Sequence, residues 1–477
     1  MRLRLPLLLG LGLIGCPTVP PPVVPTPTDT SEPTDPSGDT SDPTDTDDPE
    51  TGMDTGMPAS PCEARSDVSN AAVVAPNGVD TSTCGAADAP CATLAQALAR
   101  ADAQGLARIA LGQGVYEVPT FALQAGLTID GGFVRVDGTL EARCDLDATQ
   151  NTILRASSGM NTTLVAENLG GEARLEYLTV ASRTAPASTA ESFYGIRAVG
   201  STTTLRLEGV NITVGDAGDG APGFVGPDGN DGSGTCPSSN GQGGGTAADG
   251  TAGQGSYGSN GFVPGNGQQG SNGIVGAAGT EGAVPSPATA DCEDVVAANN
   301  TCGCDIVSVP IPRGSGGCGG DGGTGGQGGG GGGASIGLFV WDATVIANGG
   351  EWASGSGGDG ASGGLGGQGG DGAAGGTPNL QCAQNCIDDD CPDPSASNTC
   401  SQTSDCRTFD GMNIPGTPGG IGGVGEDGGS GGGGAGGDSF AAYVGGTGQA
   451  TLNVTLSSGG AGNGGPGAPD GTASGQN

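Results

Sequence analysis

The amino-acid sequence predicts an all-β solenoid of short parallel strands that carries long glycine-rich insertions. Three observations predict this fold class. Only 3% of the 477 residues are aromatic, so the chain lacks the bulky side chains of a conventional globular core. Three stretches share one pattern of short apolar strands followed by glycine. Between these stretches, many of the 103 glycines recur at every third position.

Composition and charge exclude several functions. The formal net charge is −37 and every basic residue is arginine, so we expect no nucleic-acid partner. Without histidine or lysine, the chain cannot form a Ser-His-Asp or Cys-His site, a lysine Schiff base or a histidine-ligated metal site. We therefore expect no cofactor, no metal and no enzymatic activity.

The N-terminus is typical of an exported protein. Two arginines precede an apolar stretch, Leu5 to Ile14, that is too short to span a bilayer. The following Leu13-Ile14-Gly15-Cys16 resembles the lipobox of bacterial lipoproteins, in which the cysteine is acylated and begins the mature chain. The resemblance implies a signal peptide over residues 1–15 and attachment to a membrane through a lipid on Cys16. The alternative is a plain apolar leader with an incidental cysteine.

Residues 16–61 are predicted to form a disordered tether. From residue 17 onward the segment has ten acidic residues, no basic one, and many Pro and Thr residues. Proline favours extended polyproline II and like charges stiffen the chain, so the tether should hold the rest away from a membrane. The alternative is a disordered spacer with no role of its own.

Residues 62–219 are predicted to contain a capping helix and then short strands. Thr93 and Gln96 have the spacing of a capping box, and Leu94, Leu98 and Ala101 share one helical face. Short strands, several of them bounded by glycine turns, are predicted within residues 106–118, 127–133, 151–157, 161–169 and 173–182.

The beginning of this region resembles a known family. GVDTSTCGAADAPCATLAQALARADAQGLARIALGQGVYEV, with GLTIDGGF after it, is similar to the opening of right-handed parallel β-helix proteins of the pectin-lyase-like superfamily. The resemblance covers about residues 77–215 and implies a solenoid that a helix caps before the first rungs. Stacked parallel strands enclose a narrow apolar interior, which a sequence with few aromatic residues can fill.

The three repeats are interpreted as successive rungs of that right-handed parallel β-helix solenoid. They are SFYGIRAVGSTTTLRLEGVNITVGDAGDGAPG (192–223), ASIGLFVWDATVIANGGEWASGSGGDGASG (334–363) and SFAAYVGGTGQATLNVTLSSGGAGNGGPG (439–467). Leu205–Leu207, Thr344–Ile346 and Thr451–Asn453 should therefore lie on neighbouring parallel strands. The rung at 334–356, and the last rung with a glycine-rich tail at 439–477, follow insertions at 220–333 and 357–438.

Both insertions leave and return on glycine with a period of three, as in Gly357 to Gly375. Three residues per turn is the repeat of polyproline II, and glycine at each third position lets neighbouring helices approach closely. The runs are too short and too poor in proline for collagen. They are similar to the polyglycine II bundles of some phage fibre tips and insect antifreeze proteins, in which backbone hydrogen bonds replace an apolar core. We expect paired arms with cysteine-bearing tips; the alternative is a flexible linker.

The cysteines are predicted to form disulfides. Lipidation of Cys16 would leave 14 of the 15 cysteines, an even number, in an exported chain. Cys84 and Cys91 flank the capping turn and are expected to pair, with Cys62 and Cys144 as a further candidate pair. Each insertion has five more whose pairing the sequence leaves open: Cys236, Cys292, Cys302, Cys304 and Cys318, then Cys382, Cys386, Cys391, Cys400 and Cys406. Zinc binding is the alternative.

A carbohydrate-active enzyme is the alternative function. Polysaccharide lyases share the β-helix scaffold and use Asp ligands for calcium with Arg or Lys as base. The residues that could match are Arg135, Arg155, Arg174, Arg197 and Arg206, with Asp130 and Asp137, but their spacing does not mark a cluster. A dedicated calcium site is not expected, because the glycine runs lack the apolar residue that follows Asp in RTX repeats, and Asp388-Asp389-Asp390 lacks EF-hand spacing. Weak calcium binding by the acidic residues is the alternative.

The sequence therefore predicts a non-enzymatic cell-envelope lipoprotein with a structural or adhesive role. It is similar to the glycine-rich proteins labelled PE-PGRS-like, without the PE part. We expect it at the outer membrane or cell surface, anchored in the membrane by its lipid, with polysaccharide or other cell-surface material as partner.

Replacing the lipobox cysteine tests the localisation. In Cys16→Ser the acyl acceptor is gone, so the protein should be released from the membrane or keep an uncleaved signal. Fractionation of cells expressing each form, with mass measurement of the product, checks this. Unchanged membrane fractionation and processing would contradict a lipid anchor at this residue.

Overall fold

Short apolar segments form the strands, which pair mostly with segments distant in sequence. The computed structural model describes residues 65–136, 139–143, 146–236, 247–283, 288–290, 307–309, 313–378 and 417–477. The predicted signal peptide, Cys16 and the tether lie outside these residues.

The described chain is mostly β, with two helices, α1 (Leu94–Gln104) and α2 (Leu146–Asn151). The strands are β1 (Ala72–Val74), β2 (Arg108–Gly112), β3 (Gly114–Val118), β4 (Phe121–Ala122), β5 (Thr128–Val136), β6 (Thr139–Ala142), β7 (Thr152–Ala156), β8 (Thr162–Glu167), β9 (Gly171–Glu176), β10 (Thr179–Ala181), β11 (Phe193–Val199), β12 (Thr203–Glu208), β13 (Asn211–Thr213), β14 (Ser256–Gly258), β15 (Gly261–Val263), β16 (Ala288–Ala290), β17 (Val307–Val309), β18 (Ser335–Trp341), β19 (Thr344–Ala353), β20 (Ser439–Gly445), β21 (Gln449–Ser457) and β22 (Ala473–Gln476).

Two sheets of parallel strands enclose the main core. The large sheet is curled and has the order β1-β2-β5-β9-β12-β19-β13-β10-β7-β3, with β21 beside β19 and β6 antiparallel to β5. The smaller sheet has the order β22-β20-β18-β11-β8-β4, and its strands are all parallel. β14 with β15, and β16 with β17, form separate antiparallel pairs. The all-β prediction is thus correct at the level of parallel sheets.

The predicted capping helix is present as α1, and it covers β1. Leu94, Ala97 and Ala101 are buried in one apolar cluster with Ala72 and Val74 of β1. Leu98, which was predicted on the same face, is only half-buried. The helix thus lies at the β1 end of the large sheet.

The N-terminal cap of α1 differs in one detail from the predicted capping box. The Thr93 hydroxyl accepts a hydrogen bond from the Gln96 backbone N–H at 3.2 Å, as expected. The Thr93 N–H, however, donates to the Asp80 carboxylate, and the Gln96 side chain donates to the Thr81 carbonyl. The Asp80 carboxylate therefore accepts the Thr93 N–H, which in a capping box would be accepted by the Gln96 side chain.

Aliphatic side chains stack in columns from strand to strand inside the large sheet. Residues aligned by the parallel register include Ile129, Leu175, Leu207, Ala347 and Leu452. The first four are fully buried, whereas Leu452, on the last strand of the column, is half-buried. Such columns build an apolar interior from Leu, Ile, Val and Ala, which explains how so few aromatic residues suffice.

The three repeats lie side by side, as their alignment predicts. In the large sheet Leu205 aligns with Val345, and Ile346 aligns with Thr451, each pair on parallel neighbouring strands. In the smaller sheet the corresponding neighbours are β11, β18 and β20. The predicted adjacency across the two long insertions is confirmed.

The glycine-rich stretches between the strands form a hydrogen-bonded bundle. We number them as glycine segments 1 (216–234), 2 (247–255), 3 (264–283), 4 (313–333), 5 (355–378), 6 (417–437) and 7 (458–472). Every third backbone N–H donates to a carbonyl of a neighbouring segment. From segment 1, for example, Gly220, Gly223 and Gly226 donate to Asp359, Ser362 and Leu365 of segment 5 at 2.8–2.9 Å.

The segments alternate in direction and share neighbours. Segments 1 and 5 run parallel, whereas segment 4 is antiparallel to both, with Gly330 donating to Ala221 and Ala361 donating to Gly330. Segment 4 also exchanges hydrogen bonds with segments 3 and 6, through Gly267 and Gly329. The two insertions were expected to form separate paired arms. Instead, their described glycine segments belong to one bundle.

Close packing explains why glycine recurs at every third position. A Cβ atom added at Gly326 would lie 2.1 Å from the carbonyl oxygen of Gly364, and one added at Gly364 would lie 2.0 Å from the carbonyl oxygen of Phe224. Both distances are far inside van der Waals contact. At such positions the neighbouring backbone occupies the space of a side chain.

Alanine substitution tests this packing. Gly326→Ala should destabilise the protein by about 1–3 kcal/mol, because the added methyl group must displace backbone rather than a flexible side chain. In the control Gly460→Ala, the nearest atom to the new Cβ is 3.9 Å away, and the change should be within about 0.5 kcal/mol. Denaturant unfolding of the two variants and the wild type measures the difference. Equal stabilities would contradict close backbone packing at Gly326.

Candidate functional site

The described cysteines are disulfide-bonded and leave no thiolate for a metal. Cys84 and Cys91 form the predicted disulfide, and Cys236 pairs with Cys318 across the first insertion. Asp80 lies close to the first disulfide, but its two sulfur atoms are bonded to each other. The other predicted cysteines lie outside the described residues: Cys16, Cys62, Cys144, Cys292, Cys302, Cys304, Cys382, Cys386, Cys391, Cys400 and Cys406.

The residues considered for a lyase do not converge on one site. Asp130 is fully buried and forms ion pairs with Arg65 and Arg108, so its carboxylate holds the fold together. Arg174 and Arg206 lie on adjacent strands, and both contact Glu172, at 2.5 and 3.6 Å. The other candidates are dispersed: Arg135 donates to the Ala87 carbonyl, Arg197 lies on the smaller sheet, Arg155 is on β7, and Asp137 lies outside the described residues.

A row of acidic and amide side chains nevertheless crosses the large sheet. Asp130, Glu176, Glu208, Asn348 and Asn453 occupy aligned positions on five neighbouring strands. Burial, and then the charge of Asp130, raise the pKa of the Glu176 carboxyl. A carboxyl group with a raised pKa beside a second carboxylate is a pattern found in acid–base catalysis at glycosidic bonds.

The aspartates of glycine segment 1 have a structural task. Each accepts, at Oδ1, a backbone N–H from the segment 5 residue 140 positions later, at 2.7–2.9 Å; the donors for Asp216, Asp219, Asp228 and Asp231 are Ser356, Asp359, Gln368 and Asp371. These carboxylates satisfy backbone donors for which the bundle supplies no carbonyl. This capping task gives a reason for aspartate in the glycine runs other than calcium.

Aromatic side chains concentrate on the outer face of the smaller sheet. The chain has two Trp, five Tyr and eight Phe, and seven of these rings contact one another here. We call them the aromatic cluster: Tyr194, Tyr257, Phe262, Phe339, Trp341, Phe440 and Tyr443. Sequence reasoning missed the cluster, although each repeat carries aromatic residues in its first strand: SFYGIRAV, SIGLFVW and SFAAYVG.

Four rings of the cluster lie nearly parallel in a row. Tyr257 stacks on Tyr443 with ring centroids 3.8 Å apart, Tyr443 lies 5.5 Å from Phe339, and Phe339 lies 6.2 Å from Trp341. The planes of successive rings differ by 17° or less. Phe339 is fully buried, whereas Tyr257, Tyr443 and Trp341 are half-buried.

Part of the cluster attaches the β14–β15 hairpin to the sheet. The Tyr194 hydroxyl accepts from the Phe262 N–H, and the Arg197 guanidinium donates to the Ser259 carbonyl at 2.9 Å. The Tyr257 hydroxyl donates to the Asp438 carboxylate, and burial together with that negative charge raises the Tyr257 pKa well above its usual value. These contacts give Tyr194, Tyr257 and Phe262 a packing role.

Trp341 ends the row on the side away from the hairpin. A Cβ at Gly445 would lie 2.6 Å from Trp341 Cε3, so the glycine leaves room for the indole above the sheet. The adjacent Asp342 side chain accepts from the Thr447 N–H and hydroxyl and fixes the turn beside the ring. Arg197 lies one strand away, level with Phe339. Its Nε atom is buried and its guanidinium is held by the Ser259 carbonyl, so Asp342 is the polar neighbour that a ligand can reach. A half-exposed indole with polar neighbours can stack on a flat ligand and hydrogen-bond its edge.

Comparisons with protein-family models, with curated proteins and with solved structures found no match. In the described part of the chain, no helix has both the length and the apolar character needed to cross a bilayer.

The pKa of Glu176 yields a pH-dependent prediction. Because its pKa in the folded state is raised above the ordinary 4.5, the ionised carboxylate destabilises the protein at neutral pH. That cost disappears as the pH falls below the ordinary value, where the group is protonated in both states. Glu176→Gln should therefore be more stable than the wild type at pH 7, and the difference should shrink toward pH 4.

Chemical unfolding at several pH values measures this difference. Glu117→Gln, at an exposed position on β3, is the matched control and should change the stability by less than about 0.5 kcal/mol throughout. A constant difference between Glu176→Gln and the wild type would contradict the raised pKa.

Proposed function

We propose that this protein is a non-enzymatic lipoprotein of a bacterial cell envelope with a structural or adhesive role. The lipobox-like Leu13-Ile14-Gly15-Cys16 and the acidic tether support anchoring by a lipid and display of the folded part away from the membrane. We place it at the outer membrane or cell surface. The large share of the chain devoted to a glycine scaffold, with few catalytic side chain types, favours a structural or binding role over catalysis.

For the fold, the proposal is a right-handed parallel β-helix that carries a polyglycine II bundle. Parallel neighbours that are more than 100 residues apart, such as β12, β19 and β21, support a solenoid whose rungs are interrupted by insertions. Hydrogen bonds at every third residue between the glycine segments support the three-residue repeat of polyglycine II.

The ligand class that fits best is polysaccharide, bound at the Trp341 end of the aromatic cluster. The observation that carries this assignment is the row of parallel rings that ends in a half-buried tryptophan, in a chain with 3% aromatic residues. The apolar face of a sugar ring can stack on the Trp341 indole, while its hydroxyl groups can donate hydrogen bonds to the partly exposed Asp342 carboxylate beside it. With a net charge of −37, the protein should prefer neutral over acidic polysaccharides.

The second candidate is a carbohydrate-active enzyme such as a polysaccharide lyase. The raised pKa of Glu176 beside Glu208 is the observation that favours it. Incubating the protein with neutral and acidic polysaccharides separates the two functions. Release of unsaturated products or of new reducing ends would indicate an enzyme, whereas saturable binding without turnover would indicate an adhesive protein.

Truncation of the indole tests the proposed binding site. Trp341→Ala should weaken binding to the best polysaccharide of the panel about tenfold or more, since buried aromatic anchors commonly contribute over 1 kcal/mol. Phe224→Ala, which removes a ring that is 74% exposed on glycine segment 1, is the matched control and should bind like the wild type. Affinity electrophoresis and calorimetry measure the change. Equal loss in both variants, or none in Trp341→Ala, would contradict the site.

A further inference from the structure

Two edge strands of the large sheet differ in how they are covered. The helix α1 packs its apolar face over β1. In contrast, β21 pairs with β19 along its length, and in the described part of the chain no strand pairs with its opposite edge. β21 is therefore an open edge nine residues long.

The backbone of β21 directs hydrogen-bonding groups outward from this edge. The Gln449 N–H donates to the Ala343 carbonyl, so Gln449, Thr451 and Asn453 face β19. Because alternate residues of a parallel strand face opposite neighbours, Ala450, Leu452 and Val454 direct their N–H and C=O groups toward the open edge. These groups form a template for one more strand.

The apolar side chains of β21 are also only partly covered, which leaves them able to pack against a neighbouring strand. Leu452 continues the column of Leu207 and Ala347, which are fully buried, yet Leu452 is only half-buried because nothing described lies beyond it. Val454 and Leu456 are likewise half-buried against the main core. The strand QATLNVTLS contains neither a charged residue nor a proline, which are the usual protections of an exposed edge.

We propose that β21 is a self-association edge and that its partner is β21 of a second copy of this chain. Two copies of a chain with a net charge of −37 repel each other, and an uncharged strand is a place where they can meet without opposing like charges. Antiparallel pairing about a two-fold axis at Asn453, the middle of the strand, gives an isologous contact. Thr451 then lies opposite Thr455 of the second copy, and Leu452 opposite Val454, so that polar and apolar faces both match.

This interface adds an assembly role to the proposed function and does not depend on the lipid anchor or on polysaccharide binding. The two-fold pairing closes the open edge of each large sheet with the other. It also predicts a closed dimer rather than a fibre, because a two-fold contact uses the same β21 edge of both copies and leaves none free to continue.

Two charge variants of the full chain test the proposal. Thr451→Lys with Thr455→Lys places like charges opposite each other in the dimer, and Thr451→Glu with Thr455→Glu does the same with the opposite sign. Each variant alone should raise the dimer dissociation constant about tenfold or more, whereas an equimolar mixture should form heterodimers at least as tightly as the wild type. Light scattering after size-exclusion chromatography, in detergent where needed, measures the mass.

The controls separate this interface from general charge effects and from misfolding. The same charges at the exposed turn residues Ser201 and Thr202 should leave the dimer intact, and thermal unfolding should show all variants folded. The Lys variant lowers the net negative charge, so its dissociation cannot come from general repulsion. A monomeric wild type, charge variants that still dimerise, or folded variants whose mixture stays monomeric would each overturn the proposal.

Discussion

The structure depends on one constraint: a chain made largely of glycine must satisfy its backbone N–H and C=O groups without an apolar core. The glycine segments meet it with hydrogen bonds at every third residue, and this requires backbones so close that a Cβ would lie about 2 Å from a carbonyl oxygen. Because glycine loses much conformational freedom on folding, such segments need fixed ends. The parallel strands, with their columns of buried aliphatic side chains, supply those ends.

The aromatic cluster joins the two parts of this architecture. The β14–β15 hairpin lies between glycine segments 2 and 3 in the sequence. Its residues Tyr257 and Phe262 pack it against the smaller sheet, where Tyr257 stacks on Tyr443 and the Phe262 N–H donates to Tyr194. Asp438, where segment 6 enters β20, accepts the Tyr257 hydroxyl. The proposed ligand site at Trp341 ends the row of rings that begins at Tyr257. The position of the Trp341 ring therefore depends on packing against both the smaller sheet and the hairpin.

Local patterns in the sequence predicted many of the elements, but not most of their partners. The spacing of apolar residues was sufficient for α1 and for most strands of the two parallel sheets, but not for α2, β1, β6, the β14–β15 hairpin or β22. The repeats were sufficient for the adjacency of β12, β19 and β21, and proximity for the Cys84–Cys91 disulfide. The neighbours of each glycine segment could not be predicted, because every third glycine offers the same donor and acceptor. For the same reason the carboxylates that cap backbone donors, and the Cys236–Cys318 pair, required the three-dimensional register.

The long sequence separation between neighbours has a consequence for folding kinetics. Segment 1 contacts segment 5 through residues 140 positions apart, and segment 5 contacts segment 7 through residues 104 apart. Contact order is therefore high, and closing such loops costs entropy before any bond forms. Once a strand has paired in its native register, it also fixes which residues of the following glycine segment align with the neighbouring segments. Two glycine segments could otherwise shift by three residues and form the same hydrogen bonds, and the paired strand prevents this shift.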